Sequence, residues 1–104
     1  DGKVSGVFGT HTHIPTADAR VLTNGTAFIS DVGMCGDYDS SVGMDLDISL
    51  ARFRQTGFMP KLKPALGPAS LGGVYIETDE RTGLAAEIRP FRWGRIIEPS
   101  YFDL

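Results

Sequence analysis

The sequence predicts an α/β fold made mostly of strands and hairpins with one short helix, and three observations carry that expectation. Two β-rich stretches flank Asn24-Gly25, and two more flank a polar turn ending in Gly83. Between them Leu46, Leu50 and Phe53 recur at helical spacing.

Val4, Val7 and Phe8 among small residues predict a short buried strand ended by Gly9, after which Thr10 to Asp18 read as loop. Val21-Leu22-Thr23 and Thr26-Ala27-Phe28-Ile29-Ser30 predict the first hairpin. A type I′ turn is expected at Asn24-Gly25, because both residues tolerate the positive φ that its central positions need. From Asp31 to Met44 the glycines at 33, 36 and 43 break any regular pattern, so a long loop is expected, and such loops in compact domains are often functional. The helix follows, about three turns long. Asp45 and Asp47 suit its positive N-terminal end and Gly57 lies past the other. Pro60, Pro64 and Pro68, among Lys61, Lys63 and Gly67, predict an irregular surface connection over residues 57–71. Gly73-Val74-Tyr75-Ile76-Glu77 and Leu84-Ala85-Ala86-Glu87-Ile88-Arg89 form the second hairpin. The tail beyond Pro90, FRWGRIIEPSYFDL, has no period and is assigned to no element.

With 41% apolar and 22% charged residues, the 104-residue chain suits one modest core. Its formal charge is −3 and no basic stripe interleaves with aromatics, which argues against a nucleic-acid polymer as partner. A small phosphate-bearing substrate stays open, because a metal can supply positive charge. No apolar run approaches the roughly 20 residues needed to cross a bilayer, and no basic start precedes an apolar segment, so a cytoplasmic chain without a membrane partner is expected. Cys35 is alone, which excludes an internal disulfide and fits a reducing compartment. Asn24-Gly25-Thr26 matches a glycosylation sequon but reads more plainly as a turn. The chain opens on Asp1-Gly2-Lys3 and enters a strand almost at once, so it reads as a piece of something longer.

Both histidines lie in GVFGTHTHIPTAD, residues 6–18, with only Thr12 between His11 and His13. In an extended segment, side chains two apart face the same way, with Cα atoms roughly 6.5 to 7 Å apart. The pair can then converge on one metal, or divide between two ions about 3.5 to 4 Å apart as in two-metal hydrolases. Imidazole is the commonest nitrogen ligand, and its second ring nitrogen needs an acceptor, which Thr10, Thr12 or nearby backbone can provide. An isolated His-x-His is more often a pair of surface histidines, so spacing alone does not decide the matter. Asp37, Asp39 and Ser41 imitate the first ligands of an EF-hand, but the sixth position is Val42 and the twelfth Ile48, so Asp37 to Asp47 read as turn-forming and helix-capping acids. Ser40 and Ser41 have no base nearby in sequence, and Cys35 reads as a packed small thiol, so no catalytic residue is assigned within the chain.

The run VFGTHTHIPTADARVLTNGTAFISDVGMCGDYDSSVGMD, residues 7–45, closely resembles the carboxy-terminal half of the bacterial YmdB-like calcineurin-type metallophosphoesterases. The shared features are the Gly-Thr-His-Thr-His block, Gly-Thr-Ala-aromatic-Ile, Asp-Val-Gly-Met and Tyr-Asp-Ser. The resemblance continues more loosely to about Arg89, dividing the chain into residues 1–91, the carboxy-terminal half of the domain, and an unassigned tail, 92–104. It implies part of a four-layer α/β/β/α sandwich and a metal-dependent phosphodiesterase of cyclic nucleotides such as the 2′,3′-cyclic monophosphates. It further implies two divalent or trivalent metal ions, iron or manganese, with His11 on one and His13 on the other. Thr12, Asp31 and Gly33 would shape the loop and the substrate rim. The family's other ligands, an early Asp, a Glu-Asn pair, an Asn-His pair and a further His, are absent from these residues, so the missing amino-terminal half is an expected partner. Asp37 stands where the family pattern has Pro, and Ile14-Pro15 where it has Val-Gln or Val-Pro. The alternative is an inactive fragment acting as a structural or homo-oligomerising module, since half a sandwich leaves apolar surface uncovered. A weaker third reading is a structural metal held by both histidines with Asp18 or Asp31.

Overall fold

In the computed structural model, which describes residues 1–55, 57, 60–94 and 96–102, β1 (Gly6–Phe8), β2 (Arg20–Val21) and β3 (Ala27–Ile29) form one sheet. Its order is β1-β3-β2, with β1 parallel and β2 antiparallel to β3. The turn between β2 and β3 differs from the type I′ expectation. The Gly25 N–H donates to the Leu22 carbonyl (2.9 Å) and the Leu22 N–H to the Thr26 carbonyl (2.8 Å), while Gly25 has φ 99° and Asn24 is not left-handed. This is the longer hairpin loop in which an ordinary turn precedes a left-handed glycine, so only one residue needs positive φ. The type I′ geometry occurs instead at Val42-Gly43, where φ is 46° and 95° and Ser41 and Met44 exchange both backbone hydrogen bonds (3.0 and 2.9 Å).

Helix α1 (Leu46–Arg54) starts at Asp45, whose Oδ1 accepts the Ile48 N–H at 2.9 Å and so satisfies one of the free donors of the first turn. It ends at Gln55, itself left-handed at φ 53°, rather than running on to Gly57. No residue of α1 is buried. The proline-rich connection that follows is irregular, yet backbone bonds tie it to the preceding loop: Asp45 to Lys63 (2.8 Å), Ala65 to Gly43 (2.9 Å), and Gly36 with Ser70 in both directions. Positions 58 and 59 of that connection, and 95, 103 and 104 of the tail, lie outside the described residues.

The second hairpin, β4 (Leu71–Thr78) with β5 (Ala85–Trp93), is longer than expected and runs through Pro90. Arg92 exchanges both backbone hydrogen bonds with Ser100 of the tail (2.5 and 2.9 Å), so its polar groups face away from its β4 partner Gly72. Pro90, two residues back and opposite Val74, has the same orientation. The missing proline N–H therefore lies on the outer edge and removes nothing from the ladder. The tail closes over this hairpin, with Tyr101 stacked on Trp93 (centroids 5.7 Å apart) and Phe102 edge-on to Tyr75 (5.8 Å).

The architecture is thus mixed α/β, mostly strands with one helix. Among the described residues the buried apolar set is Ala27, Ile29 and Val32, on or just after β3. The radius of gyration is 17.3 Å, against about 13 Å for a compact chain of this length. No helix among the described residues is long and apolar enough to cross a membrane. Because the core is so small, Ile29→Ala is expected to lower unfolding free energy by about 2–5 kcal/mol. Phe53→Ala, at a side chain 86% exposed, is expected to change it by less than about 0.5 kcal/mol, both read from urea midpoints.

Candidate functional site

Parallel strands β1 and β3 deliver their carboxyl ends side by side, and the two segments that leave them carry His11–His13 and Asp31. Ligand sites of open α/β sheets lie at such strand ends. The intervening loop is pinned at both ends: Val32 donates to the Gly9 carbonyl (2.9 Å) and Thr16 to the Asp31 carbonyl (3.0 Å). Pro15 and Val32 form a bridge between them.

Asp31, 1% exposed, holds the middle. Its Oδ2 accepts the Thr12 N–H (2.6 Å) and hydroxyl (2.8 Å), and its Oδ1 accepts the Gly33 N–H (2.8 Å). Burial pushes this carboxyl up, but the donors from Gly33 and Thr12, with the nearby His13 charge, outweigh it, so Asp31 titrates below the ordinary carboxylate value. Gly33 sits at φ 85°, and a Cβ there would stand 2.6 Å from the Tyr38 hydroxyl and 3.0 Å from Pro15 Cδ, so this position admits glycine alone. The same Tyr38 hydroxyl accepts the Met34 N–H (2.8 Å) and donates to the Met34 carbonyl (3.0 Å).

The His-Thr-His segment is a bend rather than an extended strand, and His13 is left-handed at φ 68°. The period-two argument for the two imidazoles therefore does not describe them. His11 is exposed and His13 half-buried, its carbonyl accepting the Met34 N–H (3.1 Å). His13 Nδ1 lies 2.6 Å from the Val42 carbonyl oxygen. A carbonyl only accepts, so neutral His13 carries its proton on Nδ1 and keeps a free lone pair on Nε2. Nothing in the sequence marks Val42, because a β-branched residue is a poor choice for a left-handed turn position.

Thr12, Asp31 and Gly33 are thus brought together, with His13 adjacent. The other acids have different partners. Asp18 accepts hydroxyls from Ser30 and Thr16 and the Ser30 N–H, which together hold its carboxyl well below the ordinary range. Its 3.8 Å pair with Arg20 is exposed and adds little. Asp37 is buried and accepts from Asp39 (2.8 Å) and Gly67 (3.0 Å), a turn and a loop tie. Cys35 is exposed, not packed. Among the described residues no three His, Cys, Asp or Glu side chains gather as a metal site, so the structural-metal arrangement with Asp18 or Asp31 is not formed.

The family described as YmdB-like protein matches residues 1–91. A 2′,3′-cyclic-nucleotide 2′-phosphodiesterase of Bacillus subtilis is 47% identical over 88 residues, covering 85% of this chain and 33% of that protein. Among solved structures, a hypothetical protein from Thermus thermophilus superposes with TM-score 0.81 at 39% identity, over 90% of this chain and 36% of that one. A novel phosphatase from Mycoplasma pneumoniae gives TM-score 0.79 at 35% identity, over 89% and 33%. The chain spans about a third of the length of these relatives.

The depressed Asp18 carboxyl fixes the sign of an acid effect. Its contribution to stability is full above the unfolded value of 3.8 and is lost as pH falls below that toward the lower folded value. Asp18→Asn is expected to flatten the fall in urea midpoint below about pH 4. An unchanged pH curve would mean that the Ser30 and Thr16 bonds do not distinguish the folded state.

Proposed function

Because the chain belongs to the YmdB-like protein family, we propose that it is the carboxy-terminal part of a metal-dependent phosphodiesterase acting on cyclic nucleotides, the 2′,3′-cyclic monophosphates among them. The observation that carries this reading is a pinned His-Thr-His segment at the ends of two parallel strands, in a chain 47% identical to a protein of that named activity. The parent domain is read as a four-layer α/β/β/α sandwich, of which this chain supplies strands of the inner layers. The small phosphodiester and the rest of the domain are the partners this reading requires.

The residues present fit a pair of iron or manganese ions in kind. Neutral imidazole is a donor those ions accept, and the Val42 contact leaves His13 Nε2 free for the purpose. His11 would hold one ion and His13 the other, with the remaining ligands from the rest of the domain. When bound, such a pair supplies Lewis acidity at the phosphoryl oxygens and a nucleophile near neutral pH. This chain's own contribution is geometric. Asp31 fixes the Thr12 backbone between the two ligands and, with both oxygens already accepting, acts as a positioning carboxylate rather than a ligand. Gly33 lets the backbone turn close beside it.

A second reading, an oligomerising module, has its own support in exposed apolar side chains such as Phe8, Phe53 and Leu66 (56%, 86% and 95% exposed). Sedimentation of the 104-residue chain separates the two, since a concentration-independent monomer removes the module reading.

The activity test joins the chain to the remaining two thirds of a relative's length and follows hydrolysis of bis-p-nitrophenyl phosphate and 2′,3′-cyclic AMP with manganese. A His11→Ala, His13→Ala double variant is expected to lose more than about 100-fold, since even outer partners of metal ligands are worth 10–100-fold. Undiminished turnover would overturn the assignment.

A further inference from the structure

Among the described residues three non-glycine residues are left-handed, and two of them, His13 at φ 68° and Val42 at φ 46°, face each other through a single hydrogen bond. The third, Gln55, ends a helix, where this conformation is common. Backbone strain of this kind persists only where the surroundings over-determine it, and it clusters at functional sites. At Val42 the surroundings are explicit. Ser41 and Met44 close the turn with two backbone hydrogen bonds, the Ser40 hydroxyl accepts the Gly43 N–H at 2.8 Å, and the Gly43 carbonyl accepts the Ala65 N–H at 2.9 Å. Ser40 is itself anchored by donating to the Asp37 carbonyl. The Val42 carbonyl and the Gly43 N–H share one planar peptide unit, so the Ser40 hydroxyl that accepts the Gly43 N–H also sets the direction in which the Val42 carbonyl points.

We propose that the Val42 carbonyl, aimed by the strained Val42-Gly43 turn, is the positioning group that sets the tautomer and ring orientation of His13, presenting Nε2 as its ligating nitrogen. The inference rests on the metal-dependent reading above and deepens it. A free imidazole prefers its proton on Nε2, the nitrogen that must be bare to bind an ion through that atom. An acceptor locked 2.6 Å from Nδ1 reverses the preference before any ion arrives. Met34 completes the clamp from the other side by donating to the His13 carbonyl, which fixes the backbone that carries the ring. His11, exposed and without such an acceptor among the described residues, serves as the internal reference.

The test reads the tautomer directly, by long-range proton–nitrogen correlation on the metal-free 104-residue chain at about pH 8, above the ordinary imidazole range. His13 is expected in the Nδ1–H form and His11 in the Nε2–H form of a free imidazole; Nε2–H at both overturns the proposal. Gly43→Ala puts a Cβ on a φ of 95°, 3.1 Å from Met34 Sδ, and is expected to return His13 toward the free-imidazole form. An unchanged tautomer there overturns the role of the turn. Should Gly43→Ala not fold, Val42→Gly keeps the carbonyl and eases the left-handed backbone, so Nδ1–H must persist; its loss is equally fatal. In the joined enzyme, Gly43→Ala is expected to weaken manganese binding about 10–100-fold by calorimetry. Unchanged affinity overturns the positioning role, whereas no manganese binding by the unsubstituted enzyme instead sinks the metal reading and leaves the tautomer result standing.

Discussion

The buried carboxylate of Asp31 is the interaction on which the rest depends. It leaves β3 one residue after Ser30, and from there it organises the neighbouring loop by accepting three hydrogen bonds, two from Thr12 and one from Gly33. A buried carboxylate is tolerable only when its lone pairs are satisfied, so the loop must come to it. The consequence is that the two histidines are placed by their backbone. Thr12 cannot move without uncovering a charge, and His11 and His13 are bonded directly to it.

That constraint also explains what could be read from the sequence and what could not. The helix, both hairpins and the polar turn at Gly83 were legible, because apolar spacing and turn residues act locally. Thr12 and the pair Asp31 and Gly33 lie in two separate blocks of the sequence that only the family resemblance groups together, and the fold brings them into contact. The turn types were less legible. Asn24-Gly25 and Val42-Gly43 exchange the expected roles, since Asn24 is relieved by a one-residue longer loop whereas Val42 is forced into a left-handed conformation by its surroundings. Pro90 suggested the end of a strand, but the side of the strand on which a proline nitrogen falls is set by register, which only the Arg92–Ser100 pairing reveals. The period-two argument for the histidines failed because a bend replaced the extended backbone.

The small core and the extended dimensions belong to the same picture. Among the described residues, three buried apolar ones offset little of the conformational entropy of about a hundred ordered ones. Polar ties between loops, rather than apolar burial, therefore specify much of the geometry around the candidate site.

The pairing of the tail with β5 has a consequence for how such a chain meets its neighbours. On the outer side of β5, Pro90 has no N–H to offer and Arg92 has both backbone groups engaged by Ser100. A foreign strand arriving there finds no continuous row of donors and acceptors to copy. The outer edge of β1, which pairs with no strand among the described residues, retains that row and carries exposed Val7 and Phe8 beside it. The two edges belong to different sheets: a strand added at β1 would extend the three-stranded sheet beside the strand end from which the His-Thr-His segment leaves, whereas the outer side of β5 in the two-stranded sheet offers it no such row.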